Sequence, residues 1–368
     1  MKVICGKEEL LRGTQIVQTV VSPRSTLPIL SNFLFETDGQ QLKLSSTDLE
    51  VGVVCSIKGE VVKEGSITIP AKRFGDIIRE LPNDENIEIK SDDNNQISIK
   101  CSKSHFVLMG LPKSDYPVLP GFPEEKNFKI SKDVLKTMLR RTAFAASNDE
   151  TRYVLNGVCM IAHEGQMKLV ATDGRRLAYI SRDGIDKKLQ HKAILPSKAV
   201  NEVQRILAAE EKNEDVKIGL TENQIAFRIG SVTIISRLIE GAFPNYEQVI
   251  PKKHDIQIKV GVKEVLSAVK QMSLLTSDKA SSVRFLFAKD LLKITASSQG
   301  LGSGEVELDI EHSGPSIEIA FNPAFLIDIL KNVDENFVYF ELTNSLNPAL
   351  LTPVNDKNYL CVVMPMRI

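Results

Sequence analysis

Alternation sets the character of this chain. The runs ISIKCSKSHFVLMG (97–110) and VKIGLTENQIAFRIG (216–230) exchange apolar and polar positions at most steps, the period of strands with one face buried. Elsewhere the period lengthens. Apolar positions three and four apart predict helices over 8–20, 132–144 and 262–272, and a shorter set over 72–81, 198–207 and 323–330.

The order of these elements recurs about every 125 residues. DGQQLKLSSTD ends in Thr47-Asp48, EGQMKLVATD in Thr172-Asp173, and LLKITASSQG carries Ala296-Ser297 at the corresponding place. A strand running into a Pro-containing helix start appears in SITIPAKRFGDIIREL, AILPSKAVNEVQRIL and IEIAFNPAFLIDIL. The ends agree as well, in HFVLMGLPKSDYPVLP, VTIISRLIEGAFPNYEQVIP and YLCVVMPMRI. Three independent landmarks at one spacing mark an internal repeat. The Pro, Lys and Glu clusters GFPEEKN and IPKKHD read as linkers, placing domains at 1–125, 126–252 and 253–368. Two helices packed on antiparallel sheet in each repeat is an α+β architecture.

Composition narrows the chemistry. Hydrophobic residues make up 42% and charged residues 25% of 368, as in a soluble globular protein. Net charge is -1, so a nucleic-acid binder of this composition must segregate its basic residues from its acids. The helices hint at that. Ser131 stands at an N-cap, with Lys132, Lys136 and Arg140 at i, i+4 and i+8 behind it and Arg141 adjacent. Lys72, Arg73, Arg79, Lys198, Arg205, Lys263 and Lys270 add to the pattern from other helices. No aromatic ladder or base-reading motif accompanies them, which suits phosphate contact without sequence readout.

Five scattered cysteines without a C-x-x-C pair read as reduced thiols of a cytoplasmic protein. No apolar run reaches membrane-span length, and MKVICGKEEL is charged too early for a signal peptide. The five histidines lack metal spacing, and there is no P-loop or nucleophile elbow. The Gly300–Gly304 run opens no helix and reads as a flexible loop. No cofactor and no metal are expected. The strongest catalytic candidate is Asp173 in ATDGRRLAYI, yet Asp48 holds the equivalent place in the first repeat, which makes the Thr-Asp turn a structural device first.

The three repeats, TDGRRLA, FPNYEQVIP and the terminal VVMPMRI together closely resemble the bacterial DNA polymerase III beta subunit, the sliding-clamp family. The resemblance spans the whole chain. It implies three tandem copies of the DNA-clamp (processivity) fold, closed by two chains into a head-to-tail dimeric ring with helices lining the hole. Size agrees: a repeat is roughly 30–35 Å across, so three leave a hole of only a few ångströms, whereas six leave roughly 30 Å for a duplex roughly 20 Å wide.

By the same resemblance, a hydrophobic peptide-binding cleft is lined by Leu155, Thr172, Gly174, Arg175, Arg176, Leu177, Pro244, Val249, Val362, Met364, Pro365, Met366 and Arg367. DNA contacts carry over onto Arg24, Arg73, Arg152, Tyr153 and Lys198, to which helix position adds Lys72 and Arg205. The dimer interface sets Phe106 and Leu108 against Leu274 and Leu275, with Lys103 and Glu305 as charged neighbours. The implied role is non-catalytic: encircling duplex DNA without sequence preference and tethering the replicative polymerase, with a clamp loader and other motif-bearing proteins as partners and no membrane. The alternative is a monomeric repeat scaffold that binds peptides without encircling DNA, which predicts no salt-dependent DNA association.

Overall fold

The structure is a computed structural model that describes residues 1–21, 27–83, 85–210, 214–276 and 282–367. The first repeat contains β1 (Lys2–Gly6), α1 (Lys7–Gln18), β2 (Asn32–Asp38), β3 (Gln41–Thr47), β4 (Val51–Lys58), β5 (Glu60–Lys63), β6 (Ser66–Pro70), α2 (Ala71–Glu80), β7 (Asn86–Ser91), β8 (Gln96–Cys101) and β9 (Ser104–Met109). The second contains β10 (Asn127–Ile130), α3 (Lys132–Ala143), β11 (Gly157–His163), β12 (Gln166–Thr172), β13 (Arg176–Asp183), β14 (His191–Pro196), α4 (Ser197–Ala209), β15 (Val216–Leu220), β16 (Gln224–Ile229) and β17 (Val232–Arg237). The third contains β18 (Ile256–Gly261), α5 (Val262–Ser273), β19 (Val283–Ala288), β20 (Leu291–Ser298), β21 (Gly302–Asp309), β22 (Ile317–Phe321), α6 (Pro323–Lys331), β23 (Phe337–Leu342), β24 (Ala349–Pro353) and β25 (Tyr359–Val363). Apart from β5, every repeat is strand–helix–three strands, twice over.

Local chemistry explains the helix starts. Asn322 accepts from the Ala324 N–H at 2.9 Å with Pro323 in the first turn of α6, an N-cap followed by a residue already fixed for helix. Glu8 and Glu9 sit in the first turn of α1, where carboxylates favour the positive end of the helix dipole. Gly13 lets α1 approach the sheet, since a Cβ there would meet Ile57 Cγ2 at 2.8 Å. The Gly300–Gly304 run forms the β20–β21 hairpin: Gly300 and Gly302 take φ of 91° and 106°, and Gly302 opens β21. The expected flexible loop is thus limited to the hairpin turn at residues 299–301, and Gly302–Gly304 are paired strand, because alternate glycines do not prevent the ladder with Ala296–Ser298 from forming.

The sheets do not respect the repeats. One eight-stranded sheet runs β6-β2-β3-β4-β17-β16-β15-β10, and another runs β14-β11-β12-β13-β25-β24-β23-β18. Position for position these are the same sheet, four strands from one repeat joined antiparallel to four from the next. The joins, β4 against β17 and β13 against β25, are called seams below. The chain accordingly packs as two compact units, residues 1–133 with 198–238 and residues 134–197 with 239–368, each containing one large sheet.

Two half-sheets remain. β1-β7-β8-β9, extended by β5 beyond β1, ends at β9; β22-β19-β20-β21 ends at β21. By position β21 corresponds to the seam strands β4 and β13, and β9 to β17 and β25. Among the described residues neither has a neighbour on its outer side. No helix there is long and apolar enough to cross a membrane.

Candidate functional site

The turn between β12 and β13 is held by its own side chains. Thr172 Oγ1 donates to Arg176 O at 2.6 Å and accepts from Gly174 N at 3.1 Å. Asp173 Oδ1 accepts from the N–H groups of Arg175 at 2.8 Å and Arg176 at 2.9 Å, the geometry of an Asx turn. Its other oxygen meets Arg176 Nε at 3.1 Å. Gly174 takes φ of 84°, which glycine adopts without strain. Asp173 therefore has both oxygens committed to the turn, the arrangement of a structural carboxylate.

Arg176 ties this turn to two helices. Nη1 donates to Asp328 Oδ2 of α6 at 2.7 Å and Nη2 to Phe144 O, just past α3, at 2.6 Å. The guanidinium lies 4.7 Å from the Phe325 ring centroid and 5.6 Å from that of Phe144, within cation–π range. Its side chain is 11% exposed. Arg176, expected as a cleft wall, pins this turn to α6 and to the end of α3.

Beside the turn lies an apolar floor. Leu155, Leu177 and Val362 are buried in one cluster with Phe243 and Tyr246, and Tyr179 stacks on Tyr246 at 5.9 Å. The C-terminal strand supplies part of it: Val362 stands opposite Leu177 across the β13–β25 seam, and Met364 N donates to Arg175 O at 2.9 Å. The rim is open. Gly174, Arg175, Pro244 and Arg367 are exposed, Val249 is 47% and Met364 39% exposed, and Thr172, Pro365 and Met366 are half-buried. Met366 N donates to Ala320 O at 2.8 Å, anchoring the last described residues. All the predicted cleft residues belong to one unit, where Leu155, Leu177 and Val362 share a single buried cluster and Met364 and Met366 stand on the C-terminal side of it in the chain. The nearby thiols offer no nucleophile: burial pushes Cys159 up to about 11 and Cys361 up to about 12.

Charge on the helices is segregated, though less openly than expected. Formal net charges of α2 to α5 are +1, +3, +1 and +1, with α1 and α6 neutral, in a chain of net charge -1. Lys72, Arg73, Lys136, Lys263 and Lys270 are exposed and have no carboxylate partner among the described residues. Others are spoken for. Arg205 donates to Ile16 O and Thr19 Oγ1 at 3.0 and 2.8 Å and pairs with Glu202, locking α4 to the end of α1. Lys198 pairs with Asp48, and Lys132 is buried, donating to Glu210 O. Arg140 pairs with Asp334, and Arg141 is enclosed by Asp334, Glu335 and Asp356. The stripe along α3 is therefore largely an internal ion network, with Lys136 its open member. Arg152 Nη1 donates to Asp173 O at 3.3 Å, which sets this predicted DNA residue against the cleft turn, while Tyr153 beside it is 56% exposed. Arg24 lies outside the described residues.

The expected interface residues lie at the two open edges. On β9, Phe106, Val107 and Met109 are exposed and Leu108 half-buried, with Lys103 exposed just before them. Glu305, Glu307 and Asp309 follow one another along one side of β21, where Lys293 pairs with the first two. Leu274, after α5, is 78% exposed and Leu275 half-buried.

Comparison with known proteins decides the family. Residues 1–120, 129–245 and 247–367 match the models of the DNA polymerase III beta subunit N-terminal, central and C-terminal domains. The chain belongs to the bacterial sliding-clamp family. Its curated relatives include the beta sliding clamps of Chlamydia muridarum, 35% identical over 100% of this chain and 99% of that one, and of Pseudomonas aeruginosa, 36% identical over 98% of each. A crystal structure of the Pseudomonas aeruginosa clamp bound to griselimycin superposes with a TM-score of 0.95 over 100% of both chains at 35% identity. The clamp of Bacillus subtilis, 27% identical, gives 0.95 over 100% of this chain and 99% of that one. The three clamp domains and their α+β build are those of this family.

Several residues that shape this chain's candidate cleft carry no signal in the sequence alone. Phe144, Phe325 and Asp328 hold Arg176, and Tyr179 and Tyr246 form the stacked pair beneath. Phe325 and Asp328 do stand at i and i+3 of a helix, a pattern that allows both to meet one partner. Which partner is a matter of tertiary structure.

Proposed function

We propose that two copies of this chain join head to tail into a ring with the helices toward the hole, that the ring surrounds duplex DNA without reading its sequence, and that it tethers a replicative polymerase by a peptide bound at the second seam. The domains would run 1–125, 126–252 and 253–368, in a cytoplasmic protein without catalysis of its own. One observation carries the ring: β9 and β21 are the positional equivalents of strands that pair at both internal seams, yet each is an open edge. Pairing β21 of one chain with β9 of another would make a third copy of the same eight-strand arrangement, with β5 added beyond β1. Two such joins close a C₂ dimer and leave no edge exposed there. Apolar Phe106 and Leu108 would then meet Leu274 and Leu275, and Lys103 would face the acids of β21. A monomeric scaffold leaves these edges unexplained.

DNA contact is assigned to Lys72 and Arg73 first, because both are exposed and unpaired among the described residues, and to Arg152, Tyr153, Lys198 and Arg24 with them. Arg205 would act by holding α4 in place. The decisive measurement compares retention on nicked circular and linear DNA of equal length: encirclement predicts that the linear form is lost from its ends. Equal retention sinks the ring, as does a monomer in sedimentation at micromolar concentration. For the cleft, Met364→Asp should abolish capture of a polymerase-derived peptide while leaving the dimer intact, and normal capture would remove the assignment.

A further inference from the structure

The first seam repeats the backbone bonds of the second seam's turn. Thr47 Oγ1 donates to Val51 O at 2.9 Å and accepts from Leu49 N at 2.9 Å; Asp48 Oδ1 accepts from the N–H groups of Glu50 at 3.0 Å and Val51 at 2.8 Å. Arg237 N donates to Glu50 O at 3.0 Å, as Met364 N does to Arg175 O. Ile235 stands opposite Gly52 as Val362 stands opposite Leu177. A buried tyrosine, Tyr116, follows the repeat as Tyr246 does, here donating to Ser45 O at 3.2 Å.

One difference between the two reaches the floor of the seam. Where the second seam has Leu177, the first has Gly52, and the space above it is taken by Leu119 of the linker, whose Cδ2 lies 2.6 Å from where a Cβ of residue 52 would stand. The floor of the first seam is therefore completed by a leucine on an irregular segment, not by the strand. Leu119 itself is only half-buried, and its neighbour Val118 is 95% exposed; Tyr116, Leu119 and the Lys113–Glu36 ion pair hold the segment to the sheet. A 540 Å³ groove opens along the same segment, between Tyr116, Pro117 and Val118 on one side and Leu34, Ser45 and Val54 of the sheet on the other. Val54 is 125 positions before Tyr179, whose ring stacks on Tyr246 in the second unit, so the groove lies where that stack has no counterpart. Lys43 borders it without a carboxylate partner among the described residues.

We infer that the first seam is a second, latent anchor site for a short extended peptide with aliphatic or aromatic anchors and a carboxylate near them, held shut by Leu119. Leu119 acts as the site's internal ligand: an incoming leucine takes its place over Gly52, the backbone runs into the groove, and an acidic residue reaches Lys43. The inference rests on the peptide-cleft reading of the second seam. Because a bound peptide must first expel Leu119, the native first seam should bind roughly 10- to 100-fold more weakly than the second.

The test is the stoichiometry of a dye-labelled hexapeptide carrying two leucines, a phenylalanine and an aspartate, titrated against the intact protein. Native protein should take one peptide per chain at low concentration and Leu119→Ala two; Leu119→Ala with Met364→Asp should keep one. An unchanged stoichiometry in Leu119→Ala, with dimer and circular dichroism intact, overturns the inference. Should that variant fail to fold, the native protein answers: the Leu119 methyl resonances should shift at peptide concentrations beyond those that saturate the second seam, and static resonances overturn the inference. A native chain that takes no peptide would instead overturn the cleft reading itself, which keeps the two failures apart.

Discussion

The Thr47–Val51 and Thr172–Arg176 turns share a backbone and differ in what they do with it. Both lock a threonine hydroxyl and an aspartate oxygen onto the same four backbone groups, and both turn at a residue of positive φ, 80° at Leu49 and 84° at Gly174. The second aspartate oxygen goes its own way. Asp48 pairs with Lys198, which is half exposed, whereas Asp173 holds Arg176, which is nearly enclosed and continues to Asp328 and Phe144. A carboxylate in a tight turn at a strand end suggests catalysis when met once. Met twice, it is turn chemistry, and function has to be sought in the residues that follow.

The comparison can be broken in several places. Arg176→Ala should cost the most, about 2–4 kcal/mol in urea unfolding, since it strands two carboxylates and a carbonyl that are partly shielded from water. Lys198→Ala, the matching change in the first turn, should cost less, about 1 kcal/mol, because the lysine is half exposed and makes a single ion pair, and Asp48 keeps its two backbone N–H bonds when it is lost; equal losses would mean the two turns are pinned alike. Thr47→Val and Thr172→Val should each cost about 1–2 kcal/mol, and by the same amount, because each removes the same two hydrogen bonds. A marked inequality would show that the shared backbone is not what holds them. The smallest effect separates Leu49 from Gly174: Gly174→Ala should destabilise by about 1 kcal/mol, while Leu49→Gly should be neutral or slightly stabilising, relief of strain offsetting added chain entropy.

The repeat was plain in the sequence because its landmarks are local: a turn, a helix start and a terminal strand each span a dozen residues. Predicted helices 132–144 and 323–330 agree with Lys132–Ala143 and Pro323–Lys331 to within a residue at either end. The seams were hidden. Whether β4 pairs within its own repeat or with β17 depends on partners far apart in the chain, and alternation reads the same either way. Charge counting failed for the same reason. Arg205 and Lys198 looked like open cations until their partners, Thr19 and Asp48, appeared from the first repeat. For Leu119 there was a clue, the glycine at 52 where the next repeat has Leu177, but only the structure shows what fills the gap.

The unlike character of β9 and β21 has a consequence for assembly. Two β9 edges could stack their exposed Phe106, Val107 and Met109 against each other, and that contact would close nothing. Two β21 edges would bring Glu305, Glu307 and Asp309 against their own copies. Such self-matching is opposed on the acidic side by like charge, so in the proposed assembly each chain is a link with a distinct hook and eye. Links of that kind form either an endless fibre or a closed loop, and the angle between successive links chooses. In the proposed ring, making the first join places the second hook and eye on one body, so the closing step no longer depends on protein concentration. Opening then requires only one join to part, leaving a single jointed body rather than two loose halves.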